Sequence, residues 1–406
     1  MKIGIFVYFI PIGKSGGVQQ YAEQLVYAMS KYVNSEVVVF CSESNKELFL
    51  KYESNMVSVI VLPNRCKYLR ALTNNRYIRR SALLLKITQK IFYNKYSAKM
   101  MAKLGDYKNM VESRVDVIHF PYQALDRYDF SIPTIISLHD LQHKIYPEFF
   151  TKPEIKKRDV YFKKSAKVCT RIIVSFGHVK DDIVKFYEIS SSKIDVCGLG
   201  YDKKDKVDTS KFLEITKKYN IPEEYFLYPA VTWKHKNHIN LVRALNILHN
   251  KYCKKIHLVC TGQRTDFYLE IKKEISRLGL KDYVIFTDYL PEQEFQILLK
   301  KAKAVVIPTL YEAESIPLIE AMAFGTPVIC SNVTVLPEQI GDNEFTFNPN
   351  NPENMSEKMY EIVANPDFID KNMKNSANQI EKLSWNKKID NFIKSYELTF
   401  KCIKNK

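Results

Sequence analysis

One stretch, residues 308–327, constrains the chain more than any other: Pro-Thr-Leu-Tyr-Glu-Ala-Glu-Ser-Ile-Pro-Leu-Ile-Glu-Ala-Met-Ala-Phe-Gly-Thr-Pro. The apolar run Ala304–Ile307 enters it and reads as a strand of a parallel sheet buried on both faces. A loop carrying Glu312 and Glu314 follows, then Ser315 as N-cap and Pro317 in a first helical turn. Ile316, Leu318, Ile319, Ala321, Met322 and Ala323 predict a short, mostly buried helix, closed by Gly325 before the next strand at Val328. A strand end, a helix start and two carboxylates therefore share one junction, where open α/β sheets bind ligands. Unpaired backbone N–H groups at such a helix start favour phosphate oxygens.

Glu312 lies at the strand end and Glu320 one turn into the helix, among apolar neighbours. A carboxylate in that setting needs hydrogen-bond donors. Sugar hydroxyls can supply them; so can a nearby lysine or a loop N–H.

Glu312 and Glu320, within Tyr-Glu-Ala-Glu-Ser-Ile-Pro-Leu-Ile-Glu-Ala-Met-Ala-Phe-Gly-Thr-Pro-Val, resemble the Glu-x7-Glu signature of retaining GT-B glycosyltransferases of the family 4 type. Where that family often has Gly-Phe-Gly after the first Glu, this chain has Ala313, Glu314 and Ser315, the last still offering a backbone N–H. The resemblance implies an α/β, GT-B fold: two Rossmann-like doubly wound domains facing a cleft. Residues 1–199 would form the acceptor domain and 200–385 the nucleotide-sugar domain, with a helix in 386–406 crossing back to the first. It also implies that Glu320 holds the ribose and Glu312 the donor-sugar hydroxyls, with Ser315, Ile316, Pro317 and Leu318 as the helix start that faces the diphosphate.

Other segments fit this frame. Strand Lys2 to Tyr8 runs into a loop with Gly16 and Gly17 ahead of a helix. Glycines there permit close backbone approach to a phosphate, or simply a tight turn. The loop lacks P-loop spacing. The strand ending at Leu138 delivers His139-Asp140, which matches the family's His-Asp, so that His139 would lie near donor sugar and acceptor. In the second half, Lys234, His235 and Lys236 follow a strand end, and lysines there suit a diphosphate as point charges. Lys236 matches the lysine of the family's Lys-Asn pair and would clamp the diphosphate, with Lys234 assisting. Thr261-Gly262 ends one further strand and Tyr289 lies in the loop after another, where the resemblance implies that a nucleobase packs and Tyr289 could stack on it. His119, Asp140 and His143 are lesser candidates. Their spacing follows no helical metal-ligand pattern, so no metal and no cofactor are expected.

The formal charge is +16, and the excess is local: between Arg65 and Lys103 eleven Lys or Arg occur with no Asp or Glu. Leu83, Leu84, Leu85, Ile87, Ile91, Phe92 and Tyr93 interleave with them. That composition suits a basic amphipathic helix on anionic lipid, or a solvated basic face. No nucleic-acid motif accompanies it. The eight cysteines form no Cys-x-x-Cys pair and several fall in apolar runs, as in a reduced, cytoplasmic protein. No signal peptide and no membrane-spanning run is apparent.

The function expected is transfer of a sugar from a nucleoside-diphosphate sugar to a saccharide acceptor. The acceptor would be lipid-linked, and the work done at the inner face of a bacterial membrane during surface-polysaccharide synthesis. A GT-B phosphorylase, a nucleotide-sugar epimerase and a non-catalytic basic lipid- or nucleic-acid-binding protein are the alternatives.

Overall fold

The structure is a computed structural model that describes residues 1–10, 17–62, 107–202 and 207–404. The basic stretch 65–103, with its expected membrane contact, lies outside the described residues, as does Gly16.

Short apolar strands such as Val-Val-Val-Phe-Cys and Ala-Val-Val-Ile carry no polar alternation, so both their faces must be covered. They assemble into two all-parallel sheets. The first contains β1 (Ile3–Phe6), β2 (Val37–Cys41), β3 (Val57–Val61), β4 (Val117–Phe120), β5 (Thr134–Ser137), β6 (Arg171–Val174) and β7 (Ile194–Val196). Its order is β3-β2-β1-β4-β5-β6-β7. The second contains β8 (Tyr225–Pro229), β9 (His257–Thr261), β10 (Val284–Asp288), β11 (Ala304–Ile307), β12 (Val328–Ser331) and β13 (Thr346–Phe347), ordered β10-β9-β8-β11-β12-β13. In each sheet the winding reverses once, between β1 and β4 and between β8 and β11. A crevice opens at the carboxyl ends of the strands at such a point.

The chain crosses between the two cores twice, and the crossings lie side by side. Leu199 packs in the first core and Tyr201 in the second; on the return, Leu383 packs in the second and Trp385 in the first. The Tyr201 N–H donates to the Leu383 carbonyl at 2.8 Å. Gly200 is needed at this point, because a Cβ there would lie 2.6 Å from the Trp385 Cα. Helix Trp385–Lys404 then buries Trp385, Ile389, Phe392 and Tyr396 against the first sheet, one stripe at helical spacing. It is the crossing helix that the resemblance implies.

Residues 203–206 lie outside the described residues, and the first crossing is made just before them, at Gly200. Helix Lys152–Val168 starts on a capping box: the Thr151 side chain accepts from the Glu154 N–H, and the Glu154 side chain accepts from the Thr151 N–H.

Candidate functional site

The site is assembled at the carboxyl ends of β8 and β11. After β8 the chain forms a tight turn, Lys234–Lys236, and Asn237 follows in the left-handed region at φ 60°. Asn tolerates that conformation better than most residues. Its buried side chain donates to the carbonyls of Pro308 and Pro349, both at 2.8 Å. The Leu310 N–H and the Thr309 hydroxyl both donate to the His235 carbonyl, at 2.8 and 3.1 Å. The Tyr228 hydroxyl donates to the Lys236 carbonyl at 2.8 Å. The lysine turn is thereby stitched to the glutamate loop. Asn237 carries much of this and stands outside the expected site residues; its signal in sequence is that it completes the Lys-Asn pair with Lys236.

This stitching brings Lys236 Nζ within 2.7 Å of Glu312 Oε2. Sequence reasoning gave the two residues separate tasks; in the structure they are one partly buried ion pair, because β8 and β11 are neighbours in the sheet. The Glu312 backbone is held by Thr334, whose hydroxyl accepts from the Glu312 N–H at 3.2 Å and donates to its carbonyl at 2.7 Å.

Ser315 requires a correction. It occupies the N-cap position of helix Ile316–Phe324, but its side chain makes no capping bond. Its N–H, expected to be open to a ligand, donates to Gln339 Oε1 at 3.0 Å, and the residue is buried. Within the first turn Pro317 has no N–H, which leaves Ile316 and Leu318 as the turn's backbone donors. Glu320 is half-buried in the same helix. The Tyr201 phenol is raised chiefly by burial, then by the charges of Glu320 and Glu292, so all three share one neighbourhood beside the second core.

Thr261 and Gly262 end β9. Gly262 has φ 117°, and a Cβ there would meet the Ala230 carbonyl carbon at 2.9 Å, so its first task is to let β8 and β9 run close together. Tyr289 follows β10 and is 82 % exposed, an open ring. Lys234 is exposed, with Nζ 5.8 Å from the centroid of Phe149 in the first domain.

In the first domain, Gly17 starts helix Gly17–Tyr32 and nothing lies within 4 Å of its virtual Cβ. The same helix carries Tyr21, whose ring meets His139 edge-on at 4.5 Å. His139 Nε2 lies 3.3 Å from the Pro121 carbonyl, and burial holds the imidazole below the usual histidine range. It makes no hydrogen bond to Glu312 among the described residues. Behind His139 runs a buried chain. Tyr396 of the crossing helix bonds His119 Nδ1 at 2.8 Å, and His119 Nε2 bonds the Ser137 hydroxyl at 2.8 Å. Ser137 in turn donates to the Tyr21 hydroxyl at 3.0 Å. Since the Ser137 proton goes to Tyr21, His119 carries its own proton on Nε2 and accepts from Tyr396 on Nδ1. Burial pushes His119 down to about 3, so it is neutral at any physiological pH.

Direct contacts close the cleft. The Tyr146 hydroxyl donates to the Leu310 carbonyl at 3.3 Å, and Ser175, just after β6, donates to Glu314 Oε2 at 2.8 Å. Glu314, which stands where the family often has a phenylalanine, thus spans to the first domain. Burial pushes its carboxyl up to about 7, against the Ser175 and Leu199 hydrogen bonds and the Lys388 charge. A cavity of about 760 Å³ opens elsewhere, at the amino ends of β5 and β6, lined by residues including Arg127, Phe130 and Lys167. It contains none of the expected site residues.

The family model described as Glycosyltransferase Family 4 matches residues 15–205, and that described as Glycosyl transferases group 1 matches residues 211–383. The chain belongs to the GT-B glycosyltransferases. Among its relatives is the O-antigen chain mannosyltransferase RfbU of Salmonella typhimurium, 27% identical over 363 residues, or 88% of this chain and 90% of that one. The O-antigen chain mannosyltransferase B of Escherichia coli is 23% identical over 65% of this chain and 70% of its own. Among solved structures, Anabaena HepE in complex with UDP and glucose superposes with a TM-score of 0.69 at 16% identity, covering 98% of this glycosyltransferase and 99% of HepE. WaaG, a glycosyltransferase involved in lipopolysaccharide biosynthesis, gives 0.62 at 14% identity over 94% and 97%. These likenesses carry the fold; among the described residues no helix is long and apolar enough to cross a membrane.

Proposed function

We propose that this glycosyltransferase moves a sugar from a nucleoside diphosphate to a saccharide acceptor, with retention of anomeric configuration and without a metal ion. The observation that carries this reading is the Lys236–Glu312 pair at the β8/β11 switch point. It sets a cation and a carboxylate side by side, where a diphosphate and its attached sugar would meet.

As the bond to the leaving diphosphate breaks, negative charge grows on its oxygens. Lys236, assisted by Lys234 and the Ile316 and Leu318 N–H groups, stabilises it. Cationic side chains and a helix start can do this without a divalent ion. Donor binding exchanges the Lys236 ammonium from Glu312 to the diphosphate, which releases the Glu312 carboxylate to hold the sugar hydroxyls. Glu320 holds the ribose, and Tyr289, exposed after β10, covers the base. The neutral His139 orients the sugar from the first domain, where Gly17 at the start of its helix adds backbone. Attack from the leaving-group side lets a phosphate oxygen take the acceptor proton, and configuration is retained.

Relatives named as O-antigen mannosyltransferases support a mannosyl donor and an acceptor belonging to a bacterial surface polysaccharide, lipid-linked at the cytoplasmic face of the membrane. The basic stretch 65–103 supplies the charge for anionic lipid. The test is a thermal-shift screen with UDP, GDP, ADP and dTDP, followed by transfer from the matching sugar nucleotide in the presence of EDTA. Product stereochemistry is read by NMR. Stabilisation by one nucleotide and an α-product from an α-donor are expected; an inverted product or EDTA inhibition contradicts the mechanism.

A further inference from the structure

At the carboxyl ends of β5 and β6 the first domain meets the second in a part of the cleft that the donor does not account for. Tyr311, in the loop after β11, is only 3% exposed, stands edge-on to Tyr146 at 5.9 Å, and has a hydroxyl with no hydrogen-bond partner among the described residues. His178 Nε2 and Gln142 Nε2 are likewise buried without partners among those residues. Asp182, in helix Gly177–Tyr187, is half-buried, and its carboxyl makes no hydrogen bond or ion pair among the described residues. Asp140 ties the four together. It accepts the Gln142 N–H at 3.0 Å, and its charge acts on the Tyr311 hydroxyl, the His178 ring and the Asp182 carboxyl.

Buried polar groups in folded proteins are nearly always paired, because an unmade hydrogen bond leaves the full desolvation penalty in place. Three such groups within the field of one carboxylate, with the half-buried Asp182 beside them, therefore mark a surface that a ligand completes. The set mixes donors and acceptors: the Tyr311 hydroxyl and Gln142 amide donate, Asp182 accepts, and His178 Nε2 does either according to its tautomer. Two aromatic side chains, Tyr146 and Tyr311, stand beside it. Hydroxyls on a pyranose ring both donate and accept, and match this set. A phosphate or carboxylate would face Asp140, Asp181 and Asp182. Arg158, 3.9 Å from Asp140, and Lys185, whose charge reaches Asp182, offset only part of that repulsion.

We propose that Tyr311, Asp182, His178 and Gln142 form the subsite for the acceptor's terminal sugar, and that this sugar is an uncharged, hydroxyl-rich ring. The inference rests on the sugar-transfer reading above. Tyr311 immediately precedes Glu312, so the subsite adjoins the carboxylate expected at the donor sugar.

The test is saturation-transfer NMR on the full chain, with methyl mannopyranoside and methyl glucuronide as probes and UDP or GDP present. The neutral glycoside should give a signal and the glucuronide a much weaker one. Tyr311→Phe and Asp182→Asn should each weaken mannopyranoside binding about fivefold, the worth of one hydrogen bond, while nucleotide binding by calorimetry is unchanged. Tyr311→Phe removes an unpartnered hydroxyl and should fold, which keeps the test open if Asp182→Asn does not. No signal from the neutral glycoside, a stronger one from the glucuronide, or binding unaltered in the folded variants overturns the subsite. Failure of both nucleotides to bind while the glycoside still does would instead sink the transferase reading and leave the subsite standing.

Discussion

The two halves of the molecule share one strand order around their switch points, yet they build their parts of the site differently. In the second half, Lys236, Glu312 and Glu320 sit on loops and a helix start after β8 and β11, stitched by hydrogen bonds to the backbone carbonyls of the lysine turn. In the first half, His139 is backed by a chain of side chains running through His119 and Ser137 to Tyr396, on a helix that arrives only after the second half is complete. One half positions charge by local backbone geometry and the other positions a neutral ring by packing. Substitutions should therefore damage chemistry in the second half and stability or alignment in the first.

The largest expected effect is on Lys236→Ala, which should lower kcat by roughly 10²–10³, the cost of removing one preorganised stabiliser of developing charge. Its melting temperature should stay near wild type; a rate within twofold would remove Lys236 from the site. Gly200→Ala probes the paired crossings. Its new methyl would meet Trp385 backbone and ring at 2.6 Å, and overpacking there should cost about 3 kcal/mol in denaturant unfolding. An unchanged midpoint would show that the crossings yield easily.

Tyr396→Phe comes next. It leaves His119 Nδ1 buried and unpaired, which should cost roughly 1–2 kcal/mol. If the chain aligns His139, kcat should also fall while donor KM holds, and loss of stability alone would make the chain purely structural.

A further effect is confined to a pH window. Glu314 has a folded-state value of about 7, above its ordinary 4.5. At pH 4 the carboxyl is protonated whether the chain is folded or not. As pH rises from about 4.5 the unfolded form ionises first, so the folded state loses relative stability, and the loss levels off above about 7. Glu314→Gln should remove that slope: equal to wild type at pH 4, more stable at pH 8. A wild-type stability curve without that decline, or one shared by the variant, would mean that Glu314 does not bridge the cleft as a buried acid.

Much of this was legible in residue order. The alternation of apolar strands with helices, the Pro317 start and Gly325 stop of one helix, and the spacing of Glu312 and Glu320 all follow from local rules. Ser315 misled because a residue of capping type at a capping position still needs a free partner. Gln339, from the helix after β12, takes its N–H instead. Gly262 read as a ligand loop, while its conformation is demanded by the neighbouring strand.

By itself the sequence determined the parallel sheets, the junction after β11 and the kinds of side chain gathered there, since each depends on neighbours within a turn or a strand. Only the tertiary structure decided that Lys236 pairs with Glu312, that Glu314 crosses to Ser175, and that Tyr396 reaches His119. Sheet order, two adjacent chain crossings and close packing choose such partners, and none of these leaves a local mark in the chain.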